Sequence, residues 1–322
     1  METPSPRRSA IDCLRRGALS TRANWGLVFL ALLQNFLLVA LVVASFLPFL
    51  VVLGGFGVLR GDLENPEALQ GWLDGLGRLA LQRLPALGLG LLASMVVGVA
   101  AVALWGWFQG GIMGTLVAAE RQAHPRAQDR AGGWRWFKTL SGRDFGGWGG
   151  RYMWRYFWFF HLYVTCALLL LLVAVLLALG VGFGYESWGV GAAFGIGCGG
   201  ALPFVFLLLV FALWYLAALP SVVVADGRVV EGAALGLRIV GRRLGGSLLL
   251  AAVLFVASLV ITLGLWVFQT TVNLLLHDNL VLWISFYAVT MVVQWSVNSL
   301  LNVFGLASFT SLVVASDPEV RG

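Results

Sequence analysis

Residues Tyr152–Gly180, YMWRYFWFFHLYVTCALLLLLVAVLLALG, decide the fold: an aromatic approach runs into an unbroken aliphatic stretch. A helix of this length reaches about 44 Å at 1.5 Å per residue, beyond the ~30 Å hydrocarbon layer of a bilayer. Upstream of it lie Arg135, Lys138, Arg143 and Arg151, and Arg155 stands in its first turn, whereas downstream no cation appears until Arg228. Working outward, five further apolar stretches of spanning length occur at about 25–53, 87–117, 196–224, 247–275 and 280–314. Each exceeds the ~20 residues a crossing needs, so tilted spans are expected.

Composition excludes a soluble domain. Hydrophobic residues make up 60% and charged residues 11%, with a mean hydropathy of +0.89, against roughly 45–50% and about 25% in soluble domains. The reading is one membrane domain over residues 25–315, preceded by segment 1–24 and followed by tail 316–322. The first apolar run is too long for a ~7–15 residue signal-peptide core, so it reads as a retained span.

Cations alternate between gaps. Five arginines precede the first span, eight Lys and Arg separate the second from the third, four separate the fourth from the fifth, and Arg321 follows the sixth. The other gaps hold only Arg60, Arg78 and Arg83, which acids outnumber. Short loops that keep Lys and Arg stay cytoplasmic, so both termini are expected inside, and the expected location is a bacterial inner membrane. The net charge of +6 and pI near 9.7 come from cations beside spans, where anionic headgroups attract them. Nucleic acid is therefore not an expected partner, and membrane lipid is.

The cationic gaps carry helical patterns. Ser9 to Leu19 opens with a capping box, Ser9 and Asp12, and places Ile11, Leu14 and Ala18 on one face. Trp134 to Arg143 pairs Phe137 with Leu140, and Val230 to Leu244 aligns Val230, Ala234, Leu237, Gly241 and Leu244. Glycine- or asparagine-containing turns, at 24–26, 145–148 and 244–247, then lead into odd-numbered spans. The expected fold class is all-α: a polytopic membrane protein with six transmembrane helices as three hairpins, each preceded by a cytoplasmic amphipathic helix. A further interfacial helix is expected on the outer side from the Asn65-Pro66-Glu67 start.

The stretch Ala218-Leu219-Pro220-Ser221-Val222-Val223-Val224-Ala225-Asp226-Gly227, followed by Glu231-Gly232-Ala233-Ala234-Leu235-Gly236-Leu237-Arg238 and Arg242-Arg243, resembles a bacterial six-span group. That group includes the membrane domain fused to some glycerophosphodiester phosphodiesterases. The resemblance implies a six-span fold and a membrane location, and no phosphodiesterase activity, because that chemistry belongs to a separate soluble barrel.

Chemistry-bearing motifs are sparse. The chain holds no H-E-x-x-H, G-x-S-x-G or P-loop pattern, and Cys13, Cys166 and Cys198 lack C-x-x-C spacing. No enzyme activity, cofactor or metal site is expected. His161 among aromatic residues reads as part of an interfacial belt. Gln294, Asn298 and Asn302 recur every four residues along one face of the sixth span, with Gln34, Asn35 and Gln109 at related depth. They mark either interhelical hydrogen bonding or a polar cavity. Gly106, Gly110 and Gly114, and likewise Gly191, Gly195 and Gly199, form small-residue seams for close helix packing. The headgroup-binding candidates are Arg135, Lys138, Arg143, Arg151, Arg155, Arg238, Arg242 and Arg243. The functional expectation is a non-enzymatic, lipid-associated scaffold or accessory subunit, with a partner membrane protein as one candidate. A small-solute transporter or channel is the alternative.

Overall fold

The computed structural model describes residues 8–52, 84–123, 133–276 and 280–316. Among them stand eight α-helices and no strand. They are α1 (Ala10–Ala23), α2 (Gly26–Val52), α3 (Leu84–Ala123), α4 (Gly142–Trp188), α5 (Val190–Val224), α6 (Val229–Arg242), α7 (Leu244–Leu276) and α8 (Leu280–Val314). All but α1 and α6 are long and apolar enough to cross a membrane, which makes this a multi-pass membrane protein. The expected helix from Asn65-Pro66-Glu67 and the cation Arg321 lie outside the described residues.

The helices overrun the apolar stretches that announce them. Hydropathy falls off at Val117 and begins at Tyr152, yet α3 continues to Ala123 and α4 starts at Gly142. A helix ends where its backbone groups find other partners, and α4 starts where they do. Ser141 sits in extended conformation and its Oγ accepts from the Asp144 N–H at 3.1 Å, while its hydroxyl donates to Asp144 Oδ2. The Trp134–Arg143 segment is consequently not a helix. Gly133–Phe137 is a single 3-10 turn, and Asn24 ties the strip after it to the chain. Asn24 Nδ2 donates to the Phe137 carbonyl at 2.7 Å, and its Oδ1 accepts from the N–H groups of Thr139 and Leu140. Of the three expected turns only Asn24–Trp25 is one: Gly146-Gly147 and Gly245-Gly246 lie within α4 and α7.

The chain divides into two compact units, one comprising residues 1–32 and 106–322, the other residues 33–105. In the smaller unit α2 and α3 meet where the Ser94 hydroxyl donates to the Ser45 carbonyl at 2.5 Å. In the larger unit buried side chains gather at the end that carries α1: Phe137, Tyr156, Phe159, Leu219 and Phe309 are all fully enclosed. Farther along the spans, Leu169, Phe206, Val260 and Val289 are exposed, as residues facing hydrocarbon are.

Glycine sets how closely the helices at this end approach. A Cβ on Gly17 would lie 2.9 Å from the Ser308 Cα of α8, and one on Gly236 would lie 2.7 Å from the Ala218 Cα of α5. One on Gly149 would lie 3.0 Å from the Trp107 carbonyl of α3. Each glycine follows a helix cap at fixed spacing: Ser9, Asp12 and Gly17; Ser141, Asp144 and Gly149; Arg228, Glu231 and Gly236. Each also touches the even-numbered span before its own unit in the chain, and the first unit touches the last span. The middle copy of the pattern is thus the first turns of α4, fused to the span. The seam Gly106, Gly110 and Gly114 meets Met153, Tyr152 and Trp148 of α4. Gly191, Gly195 and Gly199 meet nothing within 4 Å, so the second expected seam makes no contact within the described chain.

Candidate functional site

Two acids, each closing a span, organise the charges at this end. Glu120, near the end of α3, is almost wholly buried. Its Oε1 accepts from Arg16 Nε at 2.7 Å, from Arg8 Nη1, and from the Ser311 hydroxyl at 3.4 Å. Arg8 Nη1 also donates to Ser311 Oγ at 3.1 Å, and the Arg16 guanidinium lies over the Phe137 ring. Burial pulls Arg16 below its ordinary value, and the Glu120 charge opposes that pull. Cys13 is fully enclosed alongside, and burial pushes its thiol up, so it stays neutral and unreactive.

Asp226 holds the second cluster. It turns the chain from α5 into α6 at φ +44°, a left-handed conformation that Asp tolerates. Its carboxylate accepts from Arg151 Nη2 at 2.5 Å, Arg155 Nη1 at 2.7 Å and the Tyr152 hydroxyl at 3.1 Å. Burial acts to raise the Asp226 carboxyl. The hydrogen bonds from Arg155 and Tyr152 and the charges of both arginines outweigh it and hold the group below its ordinary value. Below this cluster the Tyr156 hydroxyl donates to the Leu219 carbonyl at 2.6 Å beside Pro220.

Beside these pairs a cleft of about 680 Å³ opens between the strip after the 3-10 turn, the start of α4 and the end of α3. Lys138, Arg143 and Arg151 line it with Gln122, Thr139, Asp144 and Trp148. Three expected headgroup residues therefore meet at one place. The others are dispersed. Arg155 is engaged with Asp226, and Arg135 lies exposed over the Trp134 ring. Arg238 and Arg242 project from α6 exposed, while Arg243 is half-buried where α6 meets α7.

The amide stripe divides as well. Gln34 and Asn35 belong to the smaller unit, Gln34 buried and Asn35 half-buried. Gln109 is buried in α3 with its Oε1 unpaired, and Gln294 is half-buried. Asn298 and Asn302 line a separate groove of about 240 Å³ with Ser258 of α7 and Leu216 of α5. No side chain of Ser258, Asn298 or Asn302 makes a hydrogen bond among the described residues. Thr115, Thr165, Ser221, Thr271, Ser308 and Thr310 instead each donate to the carbonyl four residues back. His161 Nδ1 lies 2.8 Å from the Phe157 carbonyl among tilted and edge-on rings.

Charge alternation points to the basic residues and passes over the acids, because acids weigh little in topology. A signal for them exists: Thr115-Leu116-Val117-Ala118-Ala119-Glu120 and Ser221-Val222-Val223-Val224-Ala225-Asp226 share a hydroxyl, apolar residues, an alanine and an acid at one spacing. No protein-family model, curated protein or solved structure matches this chain.

Proposed function

We propose that this is a non-enzymatic, lipid-associated protein of a bacterial inner membrane, a scaffold or accessory subunit whose cytoplasmic side grips anionic headgroups. One observation carries the reading. α6 buries Gly232, Ala233, Gly236, Ile239 and Val240 against its neighbours, yet keeps Val230 69% and Leu237 52% exposed on another side. α1 does the same with Ile11, 71% exposed beside Arg15. Apolar side chains next to exposed arginines, at the end of a membrane bundle, suit the boundary between acyl chains and headgroups. The cytoplasmic orientation follows from the cation distribution. The buried charges of Arg16 and Glu120 are engaged with each other, which supports a structural role for them over a catalytic one.

The test is lipid retention. Protein reconstituted in mixed bilayers and released for native mass spectrometry should carry anionic phospholipids above their bulk fraction, and Arg238→Gln/Arg242→Gln should lower the excess. Retention that mirrors bulk composition would remove the proposal.

A second reading draws on the groove at Ser258, Asn298 and Asn302, whose unpaired polar groups suit a small uncharged solute. Solute uptake into proteoliposomes that disappears in Asn302→Leu supports it. Uptake equal to empty liposomes dismisses it.

A further inference from the structure

The cleft at Lys138 and Arg143 is, we propose, a binding site for a phosphate group bearing two negative charges, a phosphomonoester in preference to a phosphodiester. This rests on the lipid-associated reading above and names the ligand of one of its surfaces. Three cations and one acid line the cleft, a net charge of +2. The acid, Asp144, accepts the Ser141 hydroxyl at the helix cap, and its charge is included in that +2. Arg151 shares Asp226 with Arg155, so that trio keeps one positive charge. Lys138 and Arg143 make no ion pair among the described residues.

Their placement is fixed from behind. Lys138 sits between the 3-10 turn and the two backbone N–H groups that Asn24 holds, and Arg143 sits in the first turn of α4. The positive end of that helix faces the same space, which adds to the two side chains. Trp148 forms a wall braced by Gly114, where any Cβ would lie 2.5 Å from the indole. A space of about 680 Å³ falls within the usual ~300–1,000 Å³ of ligand sites. Two free cations match a dianion better than the single charge of a phosphodiester.

The shared chemistry, a terminal phosphate, occurs on phosphatidic acid in the leaflet and on soluble phosphomonoesters. The experiment uses the whole protein in phosphatidylcholine nanodiscs doped with phosphatidic acid or phosphatidylglycerol, read by native mass spectrometry. Phosphatidic acid should be retained at least about tenfold over phosphatidylglycerol. Lys138→Gln/Arg143→Gln should lower its retention more than tenfold, at about fivefold per cation. Both side chains are exposed, so the variant should keep the wild-type size-exclusion profile. Arg228→Gln, which removes an exposed cation outside the cleft, should leave the phosphatidic acid preference intact. Displacement by glycerol phosphate assigns the site to a soluble ligand, and resistance to displacement assigns it to the lipid; either agrees with a phosphomonoester site. Equal retention of the two lipids, or unchanged retention in the Lys138 and Arg143 variant, overturns it. If anionic lipids are still enriched then, the broader reading survives alone; if no anionic lipid is enriched, both fall.

Discussion

Replacing Glu120 by glutamine keeps the side-chain volume and removes only its charge, which isolates what the buried ion cluster contributes. Arg16 is 8% and Glu120 2% exposed, and Arg16 Nε lies 2.7 Å from Oε1. Removing one partner of a buried pair leaves the other charge uncompensated and costs about 3–5 kcal/mol. Glutamine still accepts one hydrogen bond, so about 3 kcal/mol is the expected loss. That is a large part of a typical ~5–15 kcal/mol folding stability. The local consequence is undocking of α1, whose Cys13 is fully enclosed in the native state. A loss of that size raises the open population about a hundredfold, and maleimide labelling of Cys13 should accelerate in proportion. Cys166 and Cys198 are replaced by alanine in every variant so that a single thiol reports. The triple variant Arg8→Gln/Arg16→Met/Glu120→Leu should recover part of the loss, because apolar groups often substitute for buried ions at little cost. Thermal unfolding in detergent supplies the global readout. A Glu120→Gln protein with wild-type unfolding and wild-type Cys13 protection would refute the reasoning and leave the Gly17 contact alone responsible for docking.

Three other outcomes are expected. Gly236→Ala should lower the unfolding temperature, at a cost of about 1–3 kcal/mol, because its Cβ meets backbone 2.7 Å away. Gly241→Ala, with nothing within 4 Å, should be neutral or stabilising by up to about 1 kcal/mol. Asp226→Asn should cost about 1 kcal/mol or less, since the Asp226 side chain is 43% exposed and its ion pairs are screened. Its acid dependence has a fixed sign. The folded carboxyl titrates below the ordinary 3.8, so the pairs' contribution is present above that value and is lost as pH falls below it. Unfolding followed down to pH 3 should therefore show a smaller decline in Asp226→Asn than in the parent.

Hydropathy located the helices because lipid demands long apolar runs, and the bounds it set for α8, about 280–314, match Leu280–Val314. It failed at the ends nearest the charges. The inner turns of α3 and α4 carry Glu120, Arg143 and Arg151, residues that stop an apolar run without stopping a helix. The face of α6 offers a second case. Val230, Ala234 and Leu237 are the obvious apolar row, yet the buried row is Gly232, Ala233, Gly236, Ile239 and Val240. Periodicity weighs side-chain hydrophobicity, whereas the close approach to α5 at Gly232 and Gly236 selects residues without a side chain. The candidate site was legible by residue type only. That Lys138, Arg143 and Arg151 converge depends on Asn24 holding the strip after the 3-10 turn, a hydrogen-bonded contact across more than a hundred residues with no trace in local pattern.

The charges and the glycines of the α1 segment and of the first turns of α4 act in opposite directions along the chain. Gly17 of α1 reaches the last span, while Arg8 and Arg16 reach Glu120 at the end of the first pair of spans. Gly149 of α4 reaches back to α3, while Arg151 and Arg155 reach forward to Asp226 at the end of α5. α1 and the start of α4 are therefore links: a close contact fastens each to another pair of spans, and ion pairs fasten it to its own returning span. The two ion pairs differ in burial, and the difference separates structure from function. Glu120 takes Arg16 out of water and leaves Arg8 only partly exposed. Asp226 leaves Arg151 half in solvent and within the cleft, so the same link that closes the second pair of spans also holds one cation of the proposed phosphate site in place.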